Sequence, residues 1–219
     1  MSTIIKALPG KPKFFKVAKG HYFSPAWSLD GSQLVYRRGG GSWIRGTDHA
    51  SDTGIYTIKA KGGKPKLVSK SGSEPRFTSG NSRILLLGRE KGNRALYSVD
   101  LNGQDRRVLA TSKYANRIIL SPNEDWVLFD YRFHVFAAPF SKIGKAINLR
   151  PKSDSVPVKQ LTAGSGFEPH WSDNNSVHWT LGSELFTTDL KDAFTFVRGA
   201  PDSLPNPKES GVQLGWKAK

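Results

Sequence analysis

The sequence predicts an all-β chain made of four similar units of four strands each, and three observations carry that prediction. First, runs of five to eight residues rich in β-branched and aromatic side chains, such as SQLVYRR, GIYTIKA, RILLLGRE, ALYSVDL, DWVLFDYR and HVFAAPF, alternate with Gly, Asn, Asp, Ser or Pro. Second, the word Gly-Lys-Pro-Lys occurs twice, at 10–13 and 63–66, each time before a short run and another glycine. Glycine supplies positive φ and proline fixes φ near −65°, so the word encodes a turn into a strand. Third, the anchors Trp27, Phe77, Leu120 and Trp171 are each followed by Ser or Thr and lie 50, 43 and 51 residues apart. A repeat of that period is a supersecondary unit.

The elements follow in order. In the first unit, about 21–72, strands are expected at Pro25–Ser28, Gln33–Arg38, Ile55–Ala60 and Lys66–Lys70, with LDG and KGGKP as turns. The second unit, about 73–113, turns at SGN (79–81) and NGQ (102–104). The third, about 114–165, turns at PNED. The fourth, about 166–199, turns at DNN and ends in a strand at Thr195–Gly199. Residues 10–20 read as a leftover outer strand and 200–219 as a Pro-rich linker or arm, with three prolines in seven positions. Four antiparallel strands in meander order form one blade of a β-propeller, so residues 1–199 are expected to be propeller blades.

The pattern Pro25-x-Trp27-Ser28-x-Asp30-Gly31, followed by Val35-Tyr36, Ile55-Tyr56 and Gly62-Gly63-x-Pro65, resembles the TolB-type propeller repeat, a WD-repeat-like unit, over residues 25–67. The other units are degenerate copies, with Phe77-Thr78, Leu120-Ser121 and, in the fourth, Asn174-Asn175 for Asp-Gly. The stretch YFSPAWSLDGSQLVYRRGGGSW, with SGSEPRF and RALYSVDLNG after it, also resembles the propeller that precedes the catalytic barrel in large amidohydrolases. That resemblance implies a propeller whose partner domain performs the chemistry; the sequence of a barrel is not in this chain.

The sequence carries no catalytic constellation. Among His21, His49, His134, His170 and His178 there is no His-x-His or His-Glu-x-x-His spacing, and no Gly-x-Ser-x-Gly elbow or phosphate-cradling loop occurs. With no Cys, thiolate metal sites and cysteine nucleophiles are excluded. The expectation is a non-catalytic module with no cofactor or metal. The formal net charge of +15 favours an anionic partner. A nucleic-acid or polyanion binding module is therefore the alternative reading, although the charges are scattered through all units without a nucleic-acid motif. A self-contained hydrolase lacks a site. No run approaches the roughly 20 apolar residues of a membrane span. The chain reads as cytoplasmic if Met1 is the natural start, and periplasmic or secreted if it is excised from an exported parent.

Two insertions break the rhythm. The loop Arg37–Gly54, between the second and third strands of the first unit, carries Arg37, Arg38, Trp43, Arg45 and His49, and is the expected binding surface for a protein partner. Ser141–Pro157, between the third and fourth strands of the third unit, reads as decoration on the opposite face. The spare strand, with Phe14, Phe15 and Val17, is an edge that invites pairing. A second copy of the chain, or a separate chain, is expected to complete a larger ring across it, and apolar surface is expected at both ends of the blade series.

Overall fold

The computed structural model describes residues 3–6, 13–16, 20–40, 52–142 and 144–215. A hairpin of β1 (Thr3–Lys6) and β2 (Lys13–Lys16) comes first, with Ile4 opposite Phe15 and Ile5 opposite Phe14. Among the described residues, seventeen further strands make four sheets, one of five strands and three of four, that are the blades of a four-blade, all-β propeller. The first comprises β3 (His21–Trp27), β4 (Gln33–Gly39), β5 (Gly54–Lys59) and β6 (Lys66–Ser69) in that order. The second holds β7 (Ser73–Phe77), β8 (Arg83–Glu90), β9 (Asn93–Asp100) and β10 (Arg107–Ser112). The third holds β11 (Ile118–Leu120), β12 (Trp126–Tyr131), β13 (His134–Pro139) and, after the short β14 (Ile147–Asn148), β15 (Lys159–Gln160). The fourth holds β16 (Phe167–Trp171), β17 (Ser176–Leu181), β18 (Glu184–Asp189) and β19 (Val212–Gln213). A single-turn 3-10 helix, Leu190–Asp192, follows β18. Among the described residues, no helix is long and apolar enough to cross a membrane.

The repeated Ser or Thr after each anchor has a structural cause. The hydroxyls of Ser28 and Thr78 accept from the N–H and donate to the carbonyl of the residue five places on, Gln33 and Arg83, at 2.9–3.3 Å. Ser121 accepts from Trp126 N at 3.1 Å, and Ser172 donates to Ser176 O at 3.3 Å. Each clamps the hairpin between the first two strands of its blade. The x-Pro pairs are equally regular: Ser24, Glu74 and Glu168 have φ of 48°, 48° and 51°, and at each the ladder slips its register. Proline cannot donate to the ladder, so it sits at a bulge that kinks the innermost strand.

The chain divides into two compact units, Met1–Gly88 with Tyr97–Arg107, and Arg89–Leu96 with Val108–Lys219. In the first, Leu34, Tyr36 and Ile58 form a buried cluster lined by Tyr22, Trp27 and Tyr56, and burial pushes the Tyr36 hydroxyl far above the ordinary tyrosine range. In the second, Ile119, Leu128, Val135, Ala137 and Leu161 of the third blade pack on Val177, Trp179, Phe186, Leu190 and Phe194 of the fourth. Trp171 donates its indole N–H to Ile119 O at 3.2 Å across the same seam.

Three expectations are revised. Thr195–Gly199 is not a strand: Val197 N bonds Phe194 O and Ala200 N bonds Val197 O, so the segment turns. Phe194 is buried, and Phe194 and Phe196 both lie on Trp126, with centroids 4.9 and 6.0 Å away, which uses these rings as anchors rather than as alternating strand positions. The Pro-rich segment instead supplies the fourth strand, with Val212 opposite Leu185 and Gln213 opposite Glu184. The insertion Ser141–Pro157 is more than decoration. Its β14 pairs parallel with β10, with Leu149 N donating to Thr111 O and Ser112 Oγ donating to Leu149 O, and it buries Ile147 and Leu149. The face of the fourth sheet turned away from the third mixes His170, His178, Thr180 and Thr187 with the apolar Leu185 and the exposed Phe167 and Val212.

Candidate recognition face

Of the residues expected to bind a partner, Arg37 and Arg38 lie in β4. Arg37 is exposed, with its guanidinium carbon 6.0 Å from the Phe23 ring; Arg38 approaches Asp52 at 3.6 Å. Trp43, Arg45 and His49 fall outside the described residues, as does Val17. Phe14 and Phe15 lie in β2, paired with β1.

The second unit holds a cluster that the sequence did not single out. In antiparallel blades the connections between blades and the turns between second and third strands lie at the same end of the sheets. Here they are bonded together. Asp130 Oδ1 accepts the N–H groups of Asn116 and Arg117 at 2.8 and 2.7 Å, Arg94 Nε donates to Asn116 O at 2.8 Å, and Gly166 N donates to Phe133 O at 2.7 Å. On this scaffold stand three exposed aromatic rings, Tyr114, Phe133 and Phe167. Lys113 Nζ and the Arg132 guanidinium carbon lie 5.1 and 4.7 Å from the Tyr114 ring centroid, and the Tyr131 ring meets it edge-on at 5.5 Å. Hydrogen bonds from Lys113 and then Arg132 hold the Tyr114 hydroxyl below its ordinary range. The Phe133 and Phe167 rings are 6.4 Å apart, tilted by 53°. Arg117 pairs with Glu168 at 2.5 Å, at the bulge that opens the fourth blade.

The turn that presents Arg132 and Phe133 is strained. Both have positive φ, 48° and 72°, the geometry of a two-residue hairpin turn that favours Asn-Gly. The corresponding turn of the second blade uses Lys91-Gly92, and that of the fourth carries Gly182. The third blade places an aromatic ring where the backbone favours glycine, and leaves it 64% exposed.

His170 and His178 are direct cross-strand partners with stacked rings 5.3 Å apart. Their Nδ1 atoms face Glu168 O at 3.1 Å and Thr187 Oγ1 at 2.7 Å. Burial, and then the neighbouring His170, lower the His178 pKa, with Asp173 acting weakly against them. A histidine held below its ordinary pKa contributes stability above the unfolded-state pKa of about 6.5 and loses it as pH falls through the folded value. Melting temperature should therefore fall more steeply between pH 7.5 and 5.5 in the wild type than in His178→Gln, as read by circular dichroism; parallel profiles would show that His178 is not the titrating group. Among the described residues, no group of three or more His, Asp or Glu converges to hold a metal ion.

No protein-family model matches the chain, and no curated protein sequence does. Solved structures do. TolB from Acinetobacter baumannii superposes with a TM-score of 0.57 at 16% identity, over 82% of this chain and 43% of that one. A putative TolB from Agrobacterium tumefaciens gives 0.55 at 14%, over 82% and 66%. A chain of a nidogen–laminin complex gives 0.53 at 13%, over 83% and 65%. The chain thus spans less than two thirds of the length of each, and the likeness is one of fold.

Proposed function

We propose that this chain, a β-propeller with the fold of TolB, is a non-catalytic binding module that docks a protein partner or an associated enzyme domain on the face bearing Tyr114, Arg132, Phe133 and Phe167. The observation that carries the reading is Phe133. A bulky residue at φ of 72° costs about 1–3 kcal/mol, and such strain concentrates at functional positions. Exposed aromatic and arginine side chains are the groups that dominate protein–protein hot spots. A chain of the nidogen–laminin complex that superposes on this fold is seen bound in a protein complex, which is consistent with this use of the fold. The loop residues Arg37, Arg38, Trp43, Arg45 and His49 remain a second proposed contact, and the edge at Phe14, Phe15 and Val17 a proposed site of pairing with a second copy.

The test sets stability against binding. Phe133→Gly relieves the strain and should raise Tm by about 2–4 °C. Proteins from extracts of the source organism that are captured by the wild type should be lost from the variant, as quantified by mass spectrometry. A fall in Tm would place Phe133 in a structural role. Identical sets of captured proteins would remove this face as the docking surface.

A further inference from the structure

We infer that the occupant of this face is an acidic, extended protein segment, one of whose carboxylates is received at Lys113 and Arg132 while an apolar side chain seats against Phe133 and Phe167. The inference rests on the docking reading above and adds the chemistry of the partner.

Charge complementarity carries it. Lys113 comes from the connection between the second and third blades and Arg132 from the β12–β13 turn, and they converge on one exposed ring. Neither forms an ion pair with a carboxylate among the described residues. The nearby acids are committed elsewhere: Asp130 to two backbone N–H groups and Glu168 to Arg117. The positive charge at Tyr114 is therefore uncompensated from within. Beyond the donor bonded to the Tyr114 hydroxyl, the Arg132 guanidinium has further N–H groups, and a guanidinium's paired donors receive a carboxylate in a bidentate manner. The site is also fixed before binding, because Arg132 sits in a turn whose next carbonyl is held by Gly166 N.

The apolar half adjoins it directly, since Phe133 follows Arg132 in the same turn. In an extended chain, side chains two residues apart share a face at about 7 Å. An acidic residue followed two places later by an apolar one therefore spans neighbouring positions of this turn. A nucleic acid fits less well. Its backbone needs cations spaced along a groove, whereas these two meet at a single point, and the Phe133 and Phe167 rings are too tilted to form a flat slot for a base.

The experiment is fluorescence anisotropy on the full chain with three probes: a labelled peptide repeating Glu-Ser-Leu-Ser, in which each Glu is followed two places later by Leu, the same peptide with Lys for Glu, and single-stranded oligothymidylate of similar length. The Glu peptide should bind, and raising the salt should weaken it. The Lys113→Ala/Arg132→Ala double variant should weaken it about tenfold or more, with Tm unchanged, and the Lys peptide should not bind. Failure of the Glu peptide to bind, equal affinity in the double variant, or equal or tighter binding of oligothymidylate through the same residues would overturn the inference. The capture experiment separates it from the docking reading. If Phe133→Gly loses the captured proteins but Lys113→Glu/Arg132→Glu retains them, the face docks a partner that is not acidic. If both variants retain them, the docking reading fails as well.

Discussion

Trp179→Ala should lower the free energy of unfolding by about 3–5 kcal/mol, the range for deleting a large aromatic side chain from a packed core. Trp179 is 1% exposed and stacks on Phe186 with centroids 5.6 Å apart. It stands where the third blade's Val135, Ala137 and Leu161 meet the fourth blade. Gly166 is drawn so close that a Cβ there would lie 2.9 Å from the indole. With backbone on one side and a stacked ring on the other, the seam cannot collapse into the space left behind, which places the cost near the top of the range. Urea denaturation of Trp179→Ala beside Trp179→Phe checks it. A loss below about 1.5 kcal/mol in the alanine variant, the range of volume-conserving swaps, would mean that the two blades do not depend on this contact.

The second large effect is at Gly103, in the turn between β9 and β10. Its φ is +82°, and a Cβ there would lie 1.8 Å from the carbonyl oxygen of Val68 in β6. A left-handed conformation costs a non-glycine residue about 1–2 kcal/mol, and forced overpacking adds about 1–3. Gly103→Ala should therefore destabilise by about 2–5 kcal/mol. Gly144→Ala provides the comparison, because its φ is +81° but nothing lies within 4 Å of the added carbon. It should cost about 1–2 kcal/mol, so the difference between the two variants measures the steric part alone. Equal losses would show that the turn shifts away from β6 without penalty.

What could be read from the sequence was whatever is local and repeated. The anchor followed by Ser or Thr, the x-Pro pair and the Asn-Gly turn at 102–103 each encode a short-range hydrogen bond or a special φ, and each is found where the repeat places it. What escaped was non-local or exceptional. Residues 147–148 and 212–213 are too short to signal strands; they become strands because β10 and β18 offer open edges. Phe194 and Phe196 look like strand residues by composition, but Trp126 claims them as packing partners from a distant part of the chain. Phe133 breaks the turn rule that makes Asn-Gly and Lys-Gly readable, so the proposed docking face was hidden by the same regularity that revealed the blades. The comparison among blades was the available signal: at the second-to-third turn, the third blade has Arg132-Phe133 where the second has Lys91-Gly92 and the fourth Gly182-Ser183.

The parallel pairing of β14 with β10 also bears on how the chain is made. Ser112 waits for Leu149, 37 residues later in the sequence, to cover its side of the sheet. At about 5–20 residues per second, synthesis leaves that edge bare for about 2–7 seconds after β10 has emerged, long compared with the microseconds in which a hairpin forms. During that interval the nascent second blade can add any extended strand that reaches it, including the same edge of a neighbouring chain. Arrival of residues 147–149 ends the exposure, so the insertion acts as a timed closure of the blade made before it.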